Sequence, residues 1–572
     1  GESVADPLLD RLLAKIERFV KQHPELRPEN SDSSTLSRVN QEDAILITYA
    51  DMVSQDEGTA LRSLRRFLED NVGDSISAVH LLPFYPYSSD DGFSVIDYRA
   101  VNPVAGDWED IEAIGASYRL MFDAVINHIS ARSDWFEGYL QSKEPYSDYF
   151  IEVPEDEDLS AVFRPRELPL LTKVETAGGT RFVWTTFSDD QIDLNYGNPE
   201  VLLEIIDLLL YYVSRGAEFI RLDAIAYLWK EPGTSCIHMP QTHRVIQLIR
   251  AVLDAAAPQV SLITETNVPH LENISYFGDG RNEAQLVYNF SLPPLLLHTF
   301  YQENSAALTK WAGSLSTPSQ ETTFFNFTAS HDGIGLLPAQ EILSAQEIDT
   351  LVSRVHDAGG FVSYKTNSNG TKSPYELNIN YLDALSFSMN DGEDVEQLSR
   401  RFLCSQAIML SLKGVPGIYF HSLVGSRGWK EGLQIKGYPR AVNREKLDLN
   451  ILLKELAGTD PVRQRIFQGY IRLLDKRRSC QAFHPFGEQH ILAVNSAFFA
   501  ILRSRPEDGS QALCLHNISP ERKTLTLDTA SHQLEEFSRC RDLITGGLWE
   551  TGDQGILKKE FQPYDCLWLL PC

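Results

Sequence analysis

Eight short apolar runs, separated by longer amphipathic stretches, constrain this chain more than any other feature. They read AILITYA (44–50), AVHLLPF (78–84), LMFDAVINH (120–128), EFIRLDAIA (218–226), VSLITET (260–266), AQLVYNF (284–290), TTFFNFTASHD (322–332) and GVPGIYF (414–420). A run that is apolar without alternation has no polar face, so as a strand it must be covered on both sides. That is the condition of a parallel sheet flanked by helices. Stretches such as PEVLLEIIDLLLYYVSRG (199–216) supply the cover. Eight strands each followed by a helix predict an α/β fold, a (β/α)8 or TIM barrel.

Two spacings are too long for simple crossovers. About ninety residues separate the third and fourth runs, and they include the acidic PEDEDLS and the RPRELPLL segment. A second gap follows the seventh run and contains KTNSNGTKSP. Both leave from C-terminal strand ends, the face where such barrels build active sites. The expected organisation is a helical extension over 1–43, a barrel over 44–98, 198–332 and 388–476, and an inserted domain over 99–197 that carries the third strand. A second insertion takes 333–387. Beyond residue 476 the period becomes two, as in HILAVNSAFFAILRSR and DCLWLLP, which predicts a C-terminal β-sandwich over 477–572. At the other end, Leu9, Leu12, Leu13, Ile16, Phe19 and Val20 share one helical stripe that ends at Pro24 and Pro28, as expected of a helix docked on the main body.

Charge narrows the class of partner. Fifty-one basic against 79 acidic residues leave a net charge of −28, which repels nucleic acid and anionic membranes. No apolar run approaches the ~20 residues of a membrane span, and the opening GESVADPLLD lacks a signal peptide's apolar core. Seven scattered cysteines without a CxxC pair suggest free thiols, and so a cytoplasmic setting. Any anionic substrate must meet a local concentration of arginine or lysine.

Three acidic residues stand at or just beyond the ends of apolar runs: Asp223 in FIRLDAIAY, Glu265 in LITETN and Asp332 in FTASHDGIG. A carboxylate closing a buried strand is costly unless it is solvated, paired or used. Three on separate strands of one barrel, all at one rim, suit retaining glycoside chemistry. That chemistry needs two carboxyl groups about 5–5.5 Å apart, one as nucleophile and one as acid/base.

DAVINH (123–128), RLDAIAY (221–227), ETN (265–267) and SHDGIG (330–335) resemble, in order and spacing, the four short regions of the α-amylase family of glycoside hydrolases. The resemblance implies Asp223 as nucleophile, Glu265 as general acid/base and Asp332 as transition-state stabiliser, with Arg221, His128 and His331 binding sugar. ITYAD (47–51), HLLPFYPYSSDDGFSVIDY (80–98), WKEPGTSC (229–236), LPPLLLH (292–298) and KGVPGIYF (413–420) resemble the sucrose phosphorylase branch, so that the likeness spans roughly residues 44–480. It implies Asp51 and Arg440 around the glucosyl unit, Tyr98 where that branch carries His, Phe187 and Gln191 near the covalent intermediate, and Tyr227 among the substrate-binding residues. Asn127 stands where amylases bind calcium. The phosphorylase branch lacks that ion, so no metal and no cofactor are expected.

A phosphorylase must favour phosphate over water inside an acidic protein, which calls for guanidinium donors. Arg164, Arg166 and Arg440 are the candidates, ahead of Arg444. The resemblance places Arg166, Tyr375 and Glu376 on the acceptor side. ETNVPHLENISYFGDG (265–280), with Asn267 where sucrose phosphorylases place His, SPYELNINYLDALS (373–386) and the N-terminal extension resemble a sister group, the glucosylglycerate phosphorylases. That likeness implies glucosylglycerate, inorganic phosphate, glucose 1-phosphate and D-glycerate as small-molecule partners of a monomer or homodimer. Sucrose or glucosylglycerol phosphorolysis, an ordinary α-glucosidase and a non-catalytic amylase-like binding protein are the other readings.

Overall fold

The computed structural model describes residues 2–26, 38–367, 371–387, 394–550 and 555–572. Part of the N-terminal extension (27–37), the centre of KTNSNGTKSP (368–370) and the expected return to the barrel at 388 lie outside them.

All eight apolar runs supply strands of one closed parallel barrel: β1 (Ile45–Thr48), β2 (Ala78–Leu81), β3 (Arg119–Ala124), β4 (Ala217–Leu222), β5 (Ser261–Thr264), β6 (Leu286–Tyr288), β7 (Thr323–Phe327) and β8 (Val415–Tyr419). Each strand pairs with its sequence neighbours, and β8 closes on β1 with Leu46 opposite Ile418. Every residue of β1, β2, β5, β6, β7 and β8 is buried, as continuous apolar runs require. The helix Pro199–Ser214 shows how the cover forms. Asn198 caps its start by accepting from the Glu200 amide, Pro199 pre-sets the first turn, and Leu203, Ile206 and Leu210 are among the residues it buries.

Two runs end sooner than their apolar length suggests. β3 stops at Ala124, and His128–Ser130 forms a separate strand antiparallel to Gln191–Asp193. The chain leaves the barrel there and carries His128 towards the rim. β4 stops at Leu222 because Ala224 takes a left-handed backbone conformation (φ 48°) that no strand can continue.

The long gap after β3 holds a hairpin, Leu171–Thr176 with Gly179–Trp184, over a small core of Val153, Leu159, Val162, Leu170, Trp184 and Cys236. After β7 comes a three-stranded sheet of Ile334–Gly335, Lys372–Asn378 and Phe361–Thr366, with the helix Ala345–Asp357 started by a Ser344/Glu347 capping box. Towards the C-terminus, a six-stranded and a two-stranded antiparallel sheet share a core that includes Leu513, Leu515, Leu525, Leu527, Leu557 and Phe561. The first helix, Glu2–Gln22, ends just before Pro24 and lies against the helices Pro199–Ser214 and Pro240–Ala256, with Leu12 and Phe19 buried. Among the described residues, no helix is long and apolar enough to cross a membrane.

Candidate active site

A pocket opens at the C-terminal rim of the barrel. Its lining includes Asp223, Glu265 and Asp332, together with His128, Arg166, Phe187, Gln191, Tyr227, Asn267, His331, Tyr375, Glu376 and Arg440. Asp223 and Glu265 are the first residues after β4 and β5, and their amides still bond the neighbouring strands, at Ala124 O and Leu222 O (3.2 Å each). Barrel register therefore fixes both side chains.

Arg221, one register position inside the rim on β4, organises the floor. Its Nη1 lies 2.7 Å from Asp223 Oδ1 and its Nη2 lies 3.9 Å from Glu265 Oε2. The same guanidinium contacts Asp123, opposite it on β3, and His80 Nε2 donates at 2.7 Å to the other Asp123 oxygen. Glu265 accepts one further bond, from the Ala224 amide at 3.1 Å, so the left-handed turn after Asp223 aims an N–H at its neighbour's carboxyl. Burial pushes both Asp223 and Glu265 above the ordinary carboxylate range. Two carboxyls this close to one guanidinium share a proton most cheaply on the one further from the positive charge. Asp223, at 2.7 Å from Arg221, is the better placed of the two to ionise, against a burial that pushes its carboxyl up to about 8.

Asp332 has the opposite balance. Burial works against its ionisation, but Arg440 Nη1 at 2.7 Å, the His331 ring and Arg444 Nη2 at 3.3 Å hold it well below the usual carboxylate range. Burial likewise lowers His331, to about 3, and His128, so both imidazoles are neutral. Phe93 stacks on His331 with ring centroids 4.7 Å apart and interplanar angle 7°.

The far wall carries two arginines, each paired with an acid, and comes from other elements. Arg440 grips Glu376 with two nitrogens, Nε to Oε2 at 3.0 Å and Nη2 to Oε1 at 2.9 Å, while Glu376 also accepts from the Gly333 amide at 3.1 Å. Arg166 is held more loosely, 3.5 Å from Asp90 Oδ2 and 5.7 Å from the Phe187 ring. Asn267 packs on Gly335, where an added Cβ would sit 2.3 Å from its Oδ1. That oxygen and His331 Nδ1 are buried without a hydrogen-bond partner among the described residues.

Three sequence candidates lie elsewhere. Asp51 contacts Lys446 Nζ at 2.5 Å in an adjoining cavity with Tyr49 and Asp91, where the Lys446 ammonium also lies 3.5 Å from the Tyr49 ring centroid. The Tyr98 hydroxyl is buried and donates towards the Val125 and His128 carbonyls at 2.8 and 2.7 Å, so it braces the β3 loop from beneath. Arg164 is exposed and outside the lining. Conversely, Arg444 is 1% exposed and central. Its Nη1 meets Asp90 at 3.1 Å and Asp91 at 3.3 Å, and its Nε donates to the His331 carbonyl at 3.0 Å. The acidic pair SSDDG was the available signal for Asp90 and Asp91, but nothing in the chain order joins it to an arginine about 350 residues later.

The α-amylase catalytic-domain family matches residues 73–335. The glucosylglycerate phosphorylase of Spirochaeta thermophila is 47% identical over 547 residues, covering 95% of this chain and 92% of its own. The glucosylglycerate phosphorylase of Allomeiothermus silvanus is 45% identical, covering 98% and 95%. Among solved structures, the sucrose 6F-phosphate phosphorylase from Thermoanaerobacter thermosaccharolyticum superposes with a TM-score of 0.74 at 22% identity, covering 93% of this chain and 100% of that one.

Proposed function

From the premise that this chain belongs to the glucosylglycerate phosphorylases of the α-amylase family, we propose that its rim pocket carries out the reversible phosphorolysis of 2-O-α-D-glucosyl-D-glycerate by double displacement. Asp223 attacks C1 of the glucosyl unit while Glu265 gives its proton to the departing glycerate oxygen. Phosphate then attacks the glucosyl ester from the vacated side, Glu265 takes the proton back, and α-D-glucose 1-phosphate leaves. Asp332, held ionised by Arg440 and Arg444, faces the positive charge that builds on the sugar ring. His128, His331, Phe187, Gln191 and Tyr227 surround the sugar, and Arg166, Asn267, Tyr375 and Glu376 line the acceptor side.

One observation carries the reading. A single buried guanidinium, Arg221, reaches two carboxyls at unequal distances, 2.7 Å to Asp223 and 3.9 Å to Glu265, directly beneath a wall that presents Arg166 and Arg440. The first arrangement is what retaining cleavage needs, and the second is what a small anion needs in a chain of net charge −28. Phosphate and a glycerate carboxylate are both small anions, so one arginine wall serves both directions. Acceptor and donor are expected to be small molecules, and seven cysteines without a disulfide fit a cytoplasmic setting.

The test is an assay of glucosylglycerate with and without phosphate, and of glucose 1-phosphate with D-glycerate, glycerol, fructose and fructose 6-phosphate. Phosphate-dependent release of glucose 1-phosphate, and a preference for D-glycerate in reverse, are expected. Release of free glucose alone, independent of phosphate, would make the enzyme a hydrolase.

A further inference from the structure

Lys230 lies outside the pocket lining, three residues beyond Tyr227, yet it is one of the most buried cations in the chain, its side chain 1% exposed. Its ammonium sits 2.5 Å from Asp193 Oδ2 and donates to Asn127 Oδ1 at 2.7 Å. Asp193 is also fully buried, and it accepts from the Thr186 amide at 2.9 Å and the Thr186 hydroxyl at 2.6 Å. The cluster thus joins three segments that build the site: the turn after β3, the strand Gln191–Asp193 of the insertion, and the turn after β4.

An ammonium has donors only. The Asn127 amide must therefore turn its oxygen to Lys230, and its NH2 group points to Asp193 Oδ2 (3.2 Å) and to His128 Nδ1 (3.2 Å). His128 is neutral, so Nδ1 accepts and the ring proton resides on Nε2, which lies 2.9 Å from the Phe93 carbonyl at the pocket. The tautomer follows from the network, link by link.

We propose that Lys230 is a positioning residue: through the Asn127 amide its buried ammonium fixes His128 as the Nε2–H tautomer, the form that donates to the Phe93 carbonyl and so holds the ring against the pocket wall. The consequence for turnover rests on the phosphorylase reading above, but the tautomer does not.

Two variants test it. Lys230→Met frees the amide to turn over. Asn127→Asp keeps the ammonium between carboxylates but leaves His128 Nδ1 facing only an acceptor, which demands the Nδ1–H form. Each protein is labelled with 15N-histidine, and the His128 ring is assigned by its loss in His128→Gln. Wild type is expected to show Nε2–H, Asn127→Asp the Nδ1–H form, and Lys230→Met a mixture. Phosphorolysis kcat/KM is expected to fall roughly ten- to a hundredfold in Asn127→Asp, mainly through the glucosyl donor, with the KM for phosphate little changed. If Lys230→Met does not fold, Asn127→Asp decides alone. An unchanged Nε2–H signal in Asn127→Asp, or a wild-type ring protonated on Nδ1, would overturn the proposal. A wild-type enzyme that makes no glucose 1-phosphate would instead count against the phosphorylase reading and leave the tautomer result standing.

Discussion

At the residue scale, the rim depends on how charge is divided among carboxyls. Asp223 has a guanidinium nitrogen at 2.7 Å, whereas Glu265 has one at 3.9 Å. Replacing Asp223 with Asn is expected to lower phosphorolysis by at least about a thousandfold, measured as glucose 1-phosphate released. Near-normal turnover would remove it as nucleophile. Glu265→Gln is expected to slow donors with poor leaving groups by roughly 10²–10⁴-fold and to spare an activated glucosyl fluoride; equal losses on both would argue against an acid. The pH profile follows from the same division. Glu265, raised by burial, must hold its proton, so kcat/KM is steady below its folded pKa and falls as pH rises through it. Activity falls on the acid side as Asp223, whose carboxyl burial pushes above the ordinary range, takes a proton. Glu265→Gln is expected to lose the alkaline limb, which a pH series of kcat/KM on the fluoride would show. Asp223, Glu265 and Asp332 were legible because each closes an apolar run. Asp51 and Tyr98 lie outside the pocket lining, because a residue's place in a motif says nothing of its rotamer or of Lys446, which pairs with Asp51.

At the element scale, the segment after β8 reaches back over the rim. Arg440 clamps the strand Lys372–Asn378 through Glu376 and braces Asp332. Arg440→Ala is expected to raise the KM for phosphate about tenfold or more, the worth of a charge-assisted pair, and to raise the share of hydrolysis. Unchanged phosphate kinetics in both this variant and Arg166→Ala would discard the arginine wall. The N-terminal helix has a different role. It buries Phe19 and Leu12 against the helices Pro199–Ser214 and Pro240–Ala256, far from the rim. Phe19→Ala is expected to cost about 3 kcal/mol, seen as a lower thermal midpoint with kcat unchanged at 25 °C. The strands were readable because burial on both faces leaves a compositional trace. Their ends were less so. β4 stops where Ala224 turns left-handed, a backbone choice made by the rim and not by alanine.

At the scale of the whole molecule, one pocket must serve two anions in turn. Phosphate and glycerate are expected to compete for the glucosyl-enzyme, so double-reciprocal plots of initial rate at several phosphate concentrations should be parallel. Intersecting lines would exclude the ester intermediate. The order of apolar runs, and the acids that end them, determined by themselves the barrel and the rim on which its chemistry lies, because burial and strand register act on neighbours in the chain. Which arginine meets which acid was settled by the tertiary structure alone. Arg444 with Asp90, Arg440 with Glu376 and, in the same way, Lys230 with Asp193 are joined across loops from different strands, and a buried charge takes as partner whichever counter-ion the fold brings to it.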